Sequence, residues 1–142
     1  MESISINQQW LLVTAAIAML ISLAEAWICT LIIYAKVKFL KRWFPSTQNL
    51  IRSHIDYMMM VLLLGLSYFI IEHLKLEIPN FIIGLTCLGA LYNPFGFLLK
   101  AINPSIGNSD TLSSKIMICL SFLPTTLGFG YIMVMVLTRL LG

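Results

Sequence analysis

Three ionisable side chains, Arg52, His54 and Asp56, fall within the pentapeptide RSHID, at the opening of a long apolar run, YMMMVLLLGLSYFII. Ionisable groups are costly inside a bilayer and turn toward a bundle interior or a cavity. On a helix, residues three and four apart share a face. Tyr57, Met58 and Gly65 therefore lie on or beside the face of His54. A neutral imidazole above such an apolar, sulfur-rich wall is placed as an axial ligand to a haem iron would be. The alternative is a boundary histidine hydrogen-bonded to a carboxylate or a lipid phosphate. The candidate cofactor-binding residues are His54, Tyr57 and Met58, with His54 the candidate metal ligand.

Arg52 and Asp56 are spaced i, i+4 and can pair on the helix surface, with Asp56 also favoured by the helix dipole. Turned inward, Asp56 would instead be a proton donor or acceptor. Asn93, deep in a later apolar run and next to Tyr92, can bond across helices or orient a polar group of a ligand. Glu25, well inside the first run, is either a buried acid or the partner of a residue on another helix. The Met58–Met60 run suits packing, since methionine fills irregular space. His73, beside Glu72 and next to a short loop, is expected at the surface.

The elements that must position these groups follow from composition. Of 142 residues, 59% are hydrophobic and 11% charged, against roughly 25% charged in a soluble domain. The mean hydropathy is +0.92. Apolar runs approach the roughly 20 residues that cross a hydrocarbon core. Four spans are expected, about 10–35, 52–74, 79–101 and 114–141. The fold class is all-α, an integral membrane four-helix bundle in a single domain, with each helix satisfying its own backbone groups. The flank MESISINQQ has no Lys or Arg, so the first run reads as a retained helix and not as a signal peptide.

Seven of the nine basic residues, Lys36, Lys38, Lys41, Arg42, Arg52, Lys100 and Lys115, flank the first and third loops. Only Lys75 and Arg139 stand on the other side. That bias places the first and third loops in the cytoplasm and both termini outside. The net charge of +3 thus marks topology and lipid phosphate contact, and no nucleic-acid partner is implied. Lys36 to Ser53 is the longest loop, and part of it is expected as a short amphipathic piece on the membrane surface. Pro45 ends the first helical region, and Ser46 or Thr47 could cap the next. Gly84, Gly89 and Gly96 permit close helix approach. Pro94 and Pro124 should bend their helices. Cys29, Cys87 and Cys119 show no CxxC spacing, so neither a disulfide nor a cysteine metal site is expected.

The stretches RSHIDYMMMVLLLGL and LYNPFGFLLKAINPSIG together resemble the styrene oxide isomerase family and its hydroxylaminobenzene mutase-like relatives, small four-span bacterial membrane proteins. Asn93, Pro104 and Gly107 fall at matching offsets. The resemblance covers about the last two-thirds of the chain. It implies a multi-pass protein of the bacterial inner membrane. It further implies a homotrimer holding haem b near subunit interfaces, with His54 as axial ligand. Ferric haem would then act as a Lewis acid on an epoxide, giving a carbonyl product from a small hydrophobic substrate. Two positions depart from the pattern. Met60 stands near the family's polar Asn, and Phe97 stands at its catalytic tyrosine. Tyr92 and Asn93 are the residues that could compensate, so the candidate catalytic set is Asn93, Tyr92 and Asp56. RSHIDYMM also resembles the opening of the second span in the glutathione-using microsomal transferases (the MAPEG proteins), again four-span trimers. Asp56 and Met59 or Met60 replace the Asn and Glu found there. A non-enzymatic membrane subunit that docks through glycine-lined faces is the third expectation.

Overall fold

The computed structural model describes residues 8–106 and 112–142. Five helices follow in order: α1 Gln9–Ile33, α2 Lys38–Trp43, α3 Thr47–Leu74, α4 Asn80–Ile102 and α5 Leu112–Leu141, and no strand occurs among the described residues. All but α2 are long and apolar enough to cross a membrane. Gly107, one of the resemblance positions, lies outside the described residues.

The four long helices form an all-α bundle. The buried positions of α1 include Leu11, Ala15, Ala18, Ser22, Glu25, Cys29 and Ile32. Those of α3 are Leu50, Ser53, Tyr57, Met60, Leu64, Ser67 and Ile71. Both series step by threes and fours, the spacing of a seam between helices packed at a shallow angle. Ala15, Ala18 and Ser22 are small, so α1 and α3 approach closely. Next, α3 packs on α4 and α4 on α5, while α5 meets α3 less extensively. Outer faces keep Leu20, Trp27, Leu62, Phe69 and Leu123 exposed, as a lipid solvent allows.

Helices α4 and α5 cross through a reciprocal notch. A β-carbon on Gly89 would overlap the Thr125 backbone, and one on Gly128 would overlap that of Thr86. Both threonine hydroxyls bond back to their own helix, Thr86 to Ile82 O at 2.8 Å and Thr125 to Ser121 O at 2.9 Å. Their backbones are thus free to sit on the glycines.

The expected surface piece is the six-residue α2, in which no residue is buried. Its Phe39 and Trp43 rings lie 5.8 Å apart. After Pro45, α3 begins at Thr47, earlier than the apolar run suggests. The polar turn Thr47–Asn49 is helical because backbone N–H groups of Asn49 and Leu50 bond Ser46 O. Ser46 is the N-cap residue, but its hydroxyl accepts from the Asn49 side chain at 2.9 Å and not from a backbone N–H. Arg52, His54 and Asp56 consequently lie in the second and third turns of α3, with His54 about 10 Å along the axis. Ser46 N–H also bonds Ala101 O at 3.2 Å, tying this end of α3 to the end of α4. At the other end, Lys75 takes a left-handed conformation (φ 50°) and Leu76 N–H returns to Ile71 O at 3.0 Å. This caps α3 and turns the chain directly into α4.

The core is in two parts. One apolar cluster holds Leu11, Leu64, Ile71, Ile82, Ile83 and Ile132 among others. A smaller one holds Cys29, Ile32, Leu50 and Ala101. Between them lies a polar layer.

Candidate functional site

Every member of that layer sits at a similar height. Ser53 is about 9 Å from the start of α3, and Glu25 and Pro94 are each about 12 Å from the ends of α1 and α4. The α1–α3 seam supplies two hydroxyls at this level. Ser22 faces His54, and Ser53 faces Glu25.

His54 is half-buried. Its Nδ1 lies 2.9 Å from Ser22 O and 2.8 Å from Ser22 Oγ. Ser22 Oγ–H donates in turn to His54 O at 3.3 Å. A backbone carbonyl only accepts, so Nδ1 is the protonated nitrogen. In the neutral ring Nε2 then carries the lone pair, and no side chain among the described residues bonds it. Fixing one ring nitrogen on a carbonyl while the other stays basic is the arrangement of a metal-ligating histidine. Met58, one turn on, is half-buried, while Ile51 and Ile55 are exposed, giving the imidazole apolar flanks.

Tyr57 takes a different direction. It is buried and donates to Leu91 O at 3.2 Å, so its hydroxyl faces α4 while His54 faces α1. The expected pair of Arg52 and Asp56 does not form. Arg52 is exposed, Asp56 is half-buried, and no ion pair joins them. An i, i+4 pair is worth only about 0.3–0.5 kcal/mol, too little to hold two long side chains in one geometry.

Tyr92 and Asn93 sit elsewhere. Beyond the Gly–Thr crossing, α4 and α5 line a cleft of about 190 Å³ whose walls include Tyr92, Phe97, Lys100, Ile118 and Phe122. Pro94 and Pro124 lie inside the helices that bound it. At its polar edge Ser121 Oγ–H donates to Asn93 Oδ1 at 3.3 Å. Asn93 thus joins two helices through its oxygen and keeps its two amide N–H donors. Those donors and the Lys100 ammonium mean that the cleft offers hydrogens, so a fitting ligand brings an acceptor oxygen. An apolar cavity of about 150 Å³ is enough to hold benzene.

Within one chain, His54 and Asn93 belong to different faces, the first on the α1 side of α3 and the second on the α5 side of α4. Among the described residues no three His, Cys, Asp or Glu side chains converge as a ligand set for a bare ion. A macrocycle that brings its own equatorial donors requires only the one imidazole.

Two residues of the layer went unassigned from sequence, while Glu25 reads there as a buried acid or the partner of a residue on another helix, and it is buried against Ser53 of α3. Ser22 and Ser53 are common helix residues with no distinguishing spacing. Glu25 had a signal, because it continues the small-residue stripe Ala15, Ala18, Ser22 toward Cys29 and so belongs to the seam. Compared with protein-family models, curated proteins and solved structures, the chain matches none.

Proposed function

We propose that the chain is a membrane-embedded haem protein of the isomerase type, converting a small hydrophobic epoxide or similar oxygen-bearing compound to a carbonyl product. The observation that supports this reading most directly is the Ser22 carbonyl on His54 Nδ1, at 2.9 Å. It engages Nδ1 and leaves Nε2 without a hydrogen bond among the described residues. His54 would hold haem b, with Met58 beside it on the same helix. When bound, ferric haem supplies a Lewis acid for the substrate oxygen.

The remaining tasks fall to the chain. Asn93 offers N–H donors to an oxygen acceptor, and the aromatic walls of the cleft exclude water from a reactive state. Tyr92 lines the same cleft as Phe97 and supplies a phenol there. Asp56, half-buried and without an ion pair among the described residues, is the remaining acid–base candidate on α3. A homotrimer would complete the site by bringing the cleft of one copy toward the α1–α3 face of another. The basic first and third loops support an inner-membrane orientation with both termini outside.

The test is an absorption spectrum of detergent-purified protein expressed with haem supplied. One Soret-absorbing haem per chain is expected in the wild type, with a loss of at least tenfold in His54→Ala while the bundle stays folded. Epoxide turnover is then assayed on the haem form. Full haem uptake by His54→Ala overturns the ligand assignment. An absent band after reconstitution overturns the haem reading, and glutathione binding in that case favours the transferase-like alternative.

A further inference from the structure

Glu25 is the only Asp, Glu, Lys, Arg or His side chain that is buried among the described residues, at 3% exposure. Its Oε1 lies 2.7 Å from Ser53 Oγ. Its Oε2 has no hydrogen-bond partner among the described residues. Ser53 Oγ is also 3.2 Å from Pro94 O. Among the described residues no ion pair involves Glu25. Its neighbours one turn along the seam are Cys29 on α1 and, beyond Ser53, Tyr57 on α3, whose hydroxyl is already given to Leu91 O.

Counting hydrogens decides what the carboxyl is. Ser53 owns one O–H. A carboxylate and a carbonyl are both acceptors only, so an ionised Glu25 would compete with Pro94 O for that single hydrogen. It would also hold a bare charge in the seam, which burial without a partner disfavours strongly. A proton on Oε1 closes the count. Oε1–H donates to Ser53 Oγ, and Ser53 O–H donates to Pro94 O. Oε2 is left as a neutral carbonyl-type oxygen, the one state in which lacking a donor is tolerable.

We propose that Glu25 is a proton-binding site inside the membrane: a neutral carboxylic acid whose donation runs from α1 through Ser53 on α3 to the Pro94 carbonyl on α4. The ligand is the proton itself, and it joins three helices at the level of His54. Haem ligation makes no use of it, so the two assignments stand or fall separately.

The test is infrared spectroscopy of the full chain in phosphatidylcholine vesicles at neutral pH. The carbonyl stretch of a protonated carboxyl is expected above the amide band, with a downshift in D2O. It should move on ¹³C-glutamate labelling, vanish in Glu25→Gln, survive in Asp56→Asn, and shift in frequency in Ser53→Ala. Glu25→Gln keeps a donor for Ser53 Oγ and should fold; without that variant, labelling confines the band to the glutamates and its shift in Ser53→Ala singles out Glu25. A wild-type spectrum showing only carboxylate stretches overturns the proposal, as does a protonated-carboxyl band that labelling leaves in place or that persists in Glu25→Gln.

Discussion

At the scale of residues, the polar layer is built from hydrogen bonds that each span two helices. Tyr57 to Leu91 O is the simplest of them, at 3.2 Å. Leu91 O can also accept within α4, so removing the phenol leaves no orphaned acceptor. Tyr57→Phe is expected to cost about 0.5–1.5 kcal/mol, measured as a lowered unfolding midpoint in detergent, with haem uptake unchanged. A loss of haem in Tyr57→Phe would instead place the phenol at the cofactor, as its spacing from His54 suggests. Spacing alone could not separate these cases. Residues three apart are offset by about 60° on a helix, and the partners on α1 and α4 decide which face each side chain meets. The partner of His54 was likewise hidden, because what holds Nδ1 is mainly a backbone carbonyl, which carries no residue-type signature.

At the scale of elements, the Gly–Thr notch sets the α4–α5 crossing. Gly89→Ala or Gly128→Ala would drive a methyl into backbone and not into a flexible side-chain tip. Each is expected to destabilise by about 1–3 kcal/mol, read from the unfolding midpoint. Gly84→Ala, where nothing lies within 4 Å, is the neutral comparison. Gly84 and Gly89 were equally plausible as contact glycines in the sequence. Only the rotation of α4 about its axis distinguishes them, and that depends on which threonine α5 presents. The helices themselves were legible, since apolar length in a bilayer leaves little alternative to a helix. The early start of α3 was legible only from Pro45 and the capping candidates Ser46 and Thr47, with Ser46 the N-cap residue; Thr47, Gln48 and Asn49 are polar, and hydropathy is blind to a helix end outside the apolar run.

At the scale of the whole molecule, charge asymmetry predicts orientation. A periplasmic-type reporter enzyme fused after Gly142 should be active, and a reporter that matures only in the cytoplasm should be dark. The opposite pattern would reverse both loop assignments. With that orientation the polar layer would lie in the cytoplasmic half of the bilayer, since Glu25, Ser53 and Pro94 all lie nearer the ends of their helices that meet the basic loops.

The cleft between α4 and α5 has a further consequence for how any occupant is supplied. Its outer wall includes the exposed side chains Tyr92, Ile118 and Phe122, on helices long and apolar enough to cross a membrane. A molecule there arrives sideways, out of the leaflet. Its relevant concentration is then a mole fraction among lipids, set by its oil–water partition. Adding empty vesicles at constant total ligand should lower occupancy by dilution within the membrane phase, although the aqueous protein content is unchanged.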